Sequence, residues 1–264
     1  MRNGDLKGRR AVVTGSTSGI GAAVAKALAQ AGCSVMLNGL GDPGDIEQAR
    51  GVLATTTGAD IRFHDADMRD PVAIEGLIDA AAAAFGGVDI LVNNAGIQHV
   101  APIESFPVNQ WNDILAVNLS AAFHGVRRAL PGMRDRGWGR IVNTASIHGL
   151  VASVDKVAYI AAKHGLVGLT KVVALEAAGS GVTCNAICPG STHTPLVQAQ
   201  IELYADQQGV DLETAARERL AAKQPSQTFV RTEDIGALAV FLCSDAANQI
   251  TGAALPIDGG WTAQ

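Results

Sequence analysis

The sequence is short of several features, and each shortage removes a class of protein. It has no surplus of positive charge: 20 Lys and Arg stand against 25 Asp and Glu, a formal net charge of −5, so nothing in it makes a basic footprint for nucleic acid. Its four cysteines, at 33, 184, 188 and 243, have neither metal-ligand spacing nor the density of a disulfide scaffold, and they read as reduced core thiols. No metal site is expected. No uncharged apolar run of about 18 residues suggests a membrane span. The opening Met-Arg-Asn-Gly-Asp-Leu-Lys-Gly-Arg-Arg has no apolar signal segment behind it. No linker, repeat or low-complexity stretch divides the chain. What remains is 264 residues, 48% of them hydrophobic, enough for one sizeable core. A cytoplasmic enzyme or binding protein is the expectation.

Short apolar runs at 10–14, 33–38, 59–64, 88–92, 139–144, 182–187 and 253–257 read as strands. Helical patterns at 20–31, 45–57, 71–85, 108–117, 119–135, 157–178 and 233–243 separate them, with Gly32 and Gly86-Gly87 as stops. The strands are almost continuously apolar, which fits a parallel sheet covered on both faces. The alternation predicts an α/β fold: one Rossmann-type, doubly wound domain over 1–264 with a seven-stranded parallel sheet. The stretch 195–225 is helical by pattern with Gly209 inside it.

The first strand runs into Thr14-Gly15-Ser16-Thr17-Ser18-Gly19-Ile20-Gly21. As a bare pattern it is weak, since three glycines among 30 can equally be ordinary turn residues. Its place is what counts: it leaves a strand and opens a helix, where glycines let a phosphate approach the helix-start amides. Gly15, Thr17, Ser18, Gly19 and Ile20 are thus candidate dinucleotide contacts.

A carboxylate for the ribose 2′-hydroxyl is expected about 20 residues on. The second strand ends instead in Asn38-Gly39-Leu40-Gly41, with no acid before Asp42 and no base among residues 38–46. A 2′-phosphate finds no cation there, so NAD is expected over NADP, with Asn38 or backbone groups near Leu40 binding the ribose. Asp67 and Met68, after the third strand, offer an acid for the adenine amine and an apolar neighbour for its ring; Asp67 reads equally as a helix cap beside Asp70 and Pro71. Asn94, Ala95 and Gly96 close the fourth strand, where a strand-end crevice would hold the cofactor.

Tyr159 and Lys163 are four apart and share a helix face. Alone, such a pair is an ordinary helix contact. Its chemical use is that a nearby ammonium favours the phenolate and moves the phenol toward a useful range. Ser146, ending the fifth strand, can offer a hydroxyl to a reacting oxygen. Asn118 sits inside a helical pattern, where it competes with helix hydrogen bonding and needs exposure or a purpose.

Taken together, Thr-Gly-Ser-Thr-Ser-Gly-Ile-Gly at 14–21, Asn-Asn-Ala-Gly at 93–96, Asn118, Ser146, Tyr159-Ile-Ala-Ala-Lys163 and Pro189-Gly190 resemble the classical short-chain dehydrogenases/reductases. More narrowly, Gly96-Ile-Gln98-His, Ser146-Ile-His148-Gly-Leu-Val, Lys156, Thr194-Pro-Leu-Val-Gln-Ala-Gln200-Ile and the closing Gly259-Gly-Trp261-Thr-Ala-Gln264 are similar to the D-3-hydroxybutyrate dehydrogenase subfamily. The resemblance implies a nicotinamide cofactor, a homotetramer in which helices 119–135 and 157–178 pack between subunits, and a substrate lid at 195–225. It implies Tyr159 as acid and base, Ser146 holding the substrate oxygen, and Lys163 on the nicotinamide ribose. Asn118 would secure a water behind Lys163. The resemblance extends the cofactor set to Pro189, Gly190, Thr192 and Thr194, and assigns a short hydroxy or keto acid to Gln98, His148, Lys156 and Gln200, with Trp261 at its methyl end.

One departure matters. Ser191-Thr192-His193 stands where the subfamily has a bulky apolar wall, which opens the way to a larger or more polar 3-oxo substrate, such as a thioester reduced with NADPH. A silent dinucleotide sensor would have little reason to keep Asn118, Ser146, Tyr159 and Lys163 together.

Overall fold

The computed structural model describes residues 6–221 and 223–263. Residues 1–5, Ala222 and Gln264 lie outside that set, as does the side chain of Leu196; the opening stretch, one position of the 195–225 segment and the end of the C-terminal motif therefore have no structural account.

Seven strands alternate with helices: β1 Arg10–Val13, β2 Ser34–Asn38, β3 Ile61–His64, β4 Ile90–Asn93, β5 Gly139–Thr144, β6 Val182–Pro189 and β7 Ala254–Ile257. They form one parallel sheet in the order β3-β2-β1-β4-β5-β6-β7, so the winding reverses between β1 and β4. The helices are α1 Gly19–Gln30, α2 Pro43–Thr57, α3 Pro71–Phe85, α4 Val108–Leu115, α5 Ala121–Asp135, α6 Val157–Glu176, α7 Pro195–Gln208, α8 Leu212–Ala221 and α9 Thr232–Cys243. Local chemistry sets their ends. Asp42 and Asp70 cap α2 and α3 ahead of a proline at the first helical position, and left-handed Gly58 and Gly86 end them.

The pleat sorts the strand side chains between two cores. Val12, Met36, Leu91, Ile141 and Cys184 face α3, α5 and α6, while Val13, Val35, Ile90, Val92, Val142 and Ile187 face α1 and α9. Central strands β4, β5 and β6 are buried at every position, the burial expected of a parallel sheet covered on both sides. The helix α6 is long and apolar enough by composition to cross a membrane, yet 44% of that window is buried in the protein, where α6 packs on β6.

One expectation changes. The patterns at 108–117 and 119–135 are not separate helices: a π-helical turn, Ala116–Ser120, joins α4 to α5 without a break. Such turns gather at functional sites, and this one contains Asn118. The 195–225 stretch divides at Gly209, whose φ of +66° closes α7, as its glycine suggested.

Candidate active site

The reversal between β1 and β4 opens a crevice beyond the carboxyl ends of the strands, the place where this topology binds ligands. It encloses about 490 Å³. Its walls include Gly15, Thr17, Ser18, Gly19, Ile20, Asn38, Leu40, Asp67, Met68, Asn94, Ala95, Gly96, Tyr159, Lys163, Pro189, Gly190, Thr192 and Thr194, every position expected to touch the cofactor. The glycine turn shows why small residues are needed. At Gly15 (φ +61°) a Cβ would lie 2.8 Å from the Ala95 Cα, and at Gly21 it would collide with the Gly15 carbonyl and the Asn94 amide. That amide ties the turn to β4 by donating to the Thr14 and Gly15 carbonyls, each at 3.0 Å. The first turn of α1 carries no acid, and Ser18 makes no capping bond there, so its amides face the crevice ready for an anion. The cradle fits the pyrophosphate of a dinucleotide.

Two expected partners are otherwise engaged. Asn38 lines the crevice, but its amide donates to the His64 and Ala66 carbonyls at 3.1 and 2.9 Å and accepts from the Gly15 N–H at 3.3 Å. Its side chain builds the wall of the crevice. Asp67 is not a helix cap: it holds Arg69 at 2.6 Å, which keeps its carboxyl below the usual range. Arg69 also lines the crevice, a cation that a search limited to residues 38–46 overlooks.

Ser146 follows β5 and turns its Oγ inward, where it accepts from the His148 N–H at 3.1 Å. The turn rests against α6 because Gly149 has no side chain; a Cβ there would be 2.8 Å from the Lys163 carbonyl. Tyr159 and Lys163 meet on α6, with Nζ 5.6 Å from the ring centroid. Lys163 is buried, donates to the Thr144 carbonyl at 2.6 Å, and is driven down to about 8 by burial. Tyr159 departs from expectation: its pKa is raised, because burial opposes the phenolate more than the Ser146 hydroxyl favours it. Lys163, bonded to the backbone and 5.6 Å from the ring, does not reverse that.

Asn118 lies within the π-helical turn beside this cluster. Its Oδ1 accepts from the Ile97 N–H at 2.9 Å and its Nδ2 donates to the Ile97 carbonyl at 3.0 Å. Both ends of the side-chain amide are engaged by the loop after β4, which ties the π-helical turn to the segment that carries Gln98.

Beside Ser146 and Tyr159 lies a second, small pocket of about 60 Å³, and it gathers Gln98, His148, Lys156, Gln200 and Trp261 from five separate stretches of chain. Ser191, Val197 and Arg219 complete it. Arg219 donates to Gln200 Oε1 at 2.8 Å, Gln200 donates to Gln98 Oε1 at 2.5 Å, and the buried Gln98 Nε2 has no partner among the described residues. The chain of donors thus ends on an unmet N–H at the pocket. His148 is pressed down to about 3, first by burial and then by Lys156, so it is neutral at pH 7; its Nε2 lies 2.9 Å from Ser153 Oγ. Lys156 falls to about 8 for the same first reason. His193 points away, exposed and 3.0 Å from Gln198. Sequence reasoning passed over Arg219 because a charged residue in a polar helix carries no local sign of burial. Among the described residues, no cluster of His, Cys, Asp or Glu could hold a metal.

Fold, phosphate cradle and a Ser-Tyr-Lys cluster define an oxidoreductase that uses a nicotinamide dinucleotide. The chain belongs to the short-chain dehydrogenase/reductase family. A family model described as enoyl-(acyl carrier protein) reductase matches residues 15–262. Among characterised relatives, the D-beta-hydroxybutyrate dehydrogenase of Cupriavidus necator is 55% identical, covering 98% of this chain and all of that one. Its namesake in Rhizobium meliloti is 52% identical over 97% of this chain and 99% of the relative. Levodione reductase superimposes with a TM-score of 0.90 at 33% identity, covering 97% of this chain and 98% of that one. A Beutenbergia cavernae structure with NADP bound gives 0.88 at 38% identity, covering 98% and 99%.

Proposed function

We propose that this protein interconverts a short 3-hydroxy acid and its 3-oxo acid with NAD(H), the (R)-3-hydroxybutyrate and acetoacetate pair of its relatives included. The observation that carries the reading is the pocket beside Tyr159, where the half-buried Lys156 and an unmet amide N–H stand ready for a carboxylate. With His148 neutral, the charge that recognises the acid belongs to the cations, Lys156 first. A 3-oxoacyl thioester would bring no carboxylate to them, which disfavours that alternative.

In this reading the Ser146 hydroxyl donates to the substrate oxygen, and Tyr159 takes the proton of the alcohol in oxidation or returns it to the ketone in reduction. The bound nicotinamide supplies the hydride acceptor or donor. Lys163 holds the ribose and presents a charge to the phenol. The protein's task is otherwise geometric, holding the reacting carbon and cofactor in contact away from water. The helices α7 and α8 serve as the lid, since Val197, Gln200 and Arg219 come from them.

NAD is favoured because Asp67 occupies Arg69, the cation lining the adenosine side, in a bond that a 2′-phosphate would have to break. A homotetramer fits the apolar Phe123, Val172 and Leu175 left exposed on α5 and α6, and light scattering tests it. A cytoplasmic setting fits four free, buried thiols. The deciding experiment is a panel of NAD(H) and NADP(H) with acetoacetate and both enantiomers of 3-hydroxybutyrate. Turnover of acetoacetate with NADH is expected; its absence, or turnover confined to NADPH and neutral ketones, would refute the reading.

A further inference from the structure

Gln98, Gln200 and Arg219 reach the pocket beside Ser146 from separate elements: the loop after β4, α7 and α8. Arg219 lines both that pocket and a cavity of about 230 Å³ beneath α7 and α8. Donor chemistry fixes the direction of the bonds that join them. A guanidinium carries N–H donors and no acceptor, and it stays charged at any working pH. Gln200 must therefore turn Oε1 to Arg219, which it does at 2.8 Å. Only N–H groups are left for its other neighbour, so Gln98 must present its own oxygen, which accepts at 2.5 Å. With Oε1 committed, Gln98 keeps Nε2 for the pocket, and that nitrogen is buried without a partner among the described residues.

Neither glutamine could set this direction by itself. The two ends of a side-chain amide are nearly equal in shape, and a chain of amides alone runs equally well either way. The arginine breaks the tie. Flipping either glutamine while Arg219 is in place would set N–H against N–H or oxygen against oxygen in a half-buried site, where each unpaired group costs about 1–3 kcal/mol. Burial works against the Arg219 charge. A neutral residue would avoid that cost, but a glutamine at 219 would leave the direction open.

We propose that Arg219 is a positioning residue for substrate selection: through Gln200 it locks the Gln98 amide with its N–H toward the pocket, so that the site admits a terminal group that accepts. The proposal rests on the 3-hydroxy acid reading for naming that group a carboxylate. Arg219 acts through two other side chains and needs no contact with the substrate.

The test uses three ketones of equal heavy-atom count that differ at one end, 3-oxobutanoate, 3-oxobutanamide and pentane-2,4-dione, reduced by the full-length enzyme with NADH. Arg219→Glu exchanges a side chain that only donates for one that only accepts. Gln200 then turns its N–H groups to residue 219 and its oxygen to Gln98, and Gln98 faces the pocket with Oε1. The amide can answer that oxygen with an N–H, whereas the diketone has none. Their ratio in kcat/KM, amide over diketone, should rise at least about fivefold, the worth of a neutral hydrogen bond. Both are neutral, so the changed charge at 219 does not by itself move that ratio. 3-Oxobutanoate should lose at least about tenfold against the diketone. In a Gln98→Met background Arg219→Glu should leave the amide-to-diketone ratio within about twofold, and Arg219→Lys, which also only donates, should keep the wild-type order of the three. An amide-to-diketone ratio unmoved by Arg219→Glu, or moved equally without Gln98, overturns the relay. Gln200→Glu reverses Gln98 in the same way while leaving Arg219 a partner, and it decides the matter if Arg219→Glu does not fold. Reduction of the diketone but not of 3-oxobutanoate by the wild type refutes the 3-hydroxy acid reading instead, and the neutral pair still decides the relay. If the wild type reduces none of the three, that reading fails as well, and the amide-to-diketone difference in the unfolding midpoint of the enzyme–NADH complex decides the relay by the same criteria.

Discussion

Lys156 makes the carboxylate reading measurable through pH. Its ammonium sits at the substrate pocket with its pKa brought from 10.5 to about 8, first by burial and then by Arg219 and Lys223. The acid binds the charged form, so affinity is full below that value and declines as pH rises through it. For a group titrating near 8, about nine-tenths is charged at pH 7 and about one-tenth at pH 9. The Michaelis constant for 3-hydroxybutyrate should therefore rise about tenfold between pH 7 and 9 at saturating NAD. His148, titrating near 3, is neutral throughout this window and adds nothing to it. A neutral secondary alcohol of similar size is the control, because it gains nothing from the charge. Lys156→Met should flatten the profile and raise the constant at pH 7 by about 10- to 100-fold, the worth of a hydrogen-bonded charge. Initial rates across the pH series read both effects. A constant that stays flat from pH 7 to 9, or a Lys156→Met loss equal for acid and alcohol, would refute the argument.

Other substitutions separate the parts of the site. Tyr159→Phe removes the proton-transfer group and should lower kcat by about 10²- to 10⁴-fold while NADH binding, followed by fluorescence, changes little. Lys163→Met should abolish turnover yet leave the melting temperature at pH 7 no lower than that of the wild type. The sign follows from a folded pKa near 8 against an ordinary 10.5: the buried charge is a burden below pH 8, and stability from this group rises with pH between the two values. A lower melting temperature would show that the bond to Thr144 outweighs the burial. Gly21→Ala places a methyl against the Gly15 carbonyl and should weaken NAD binding at least about tenfold, measured by titration, with the fold retained by circular dichroism. Asn118→Ala loses both bonds to Ile97 and should cost about 1–3 kcal/mol in denaturant unfolding. It should also raise the Michaelis constant for the acid, because Gln98 follows Ile97.

What the sequence made legible divides along a physical line. The crevice was readable because its residues do their work within a few positions of a strand end: Gly15 and Gly19 need their φ values, and the α1 amides need an uncapped start. The catalytic cluster was readable because two of its members are one helical turn apart on α6. The substrate pocket was readable only through resemblance, since Gln98, His148, Lys156, Gln200 and Trp261 share no local pattern and meet only when the lid helices cover the sheet.

Depth was the quantity that could not be read. The helix spacing that pairs Lys163 with Tyr159 says nothing of how far both lie from water, and burial reverses the shift expected from the ammonium alone. The side-chain amides of Asn38 and Asn118 show the same limit. Their amides looked available to a ligand and are instead consumed by backbone groups from β3, the β1 turn and the loop after β4. Arg219 is the converse case: on a polar helix it looked solvated, yet it is half-buried, with a buried donor unmet among the described residues, at the wall of two cavities. In each instance the residue type was correct for the chemistry, and its surroundings in three dimensions decided whether a ligand or the protein itself would use it.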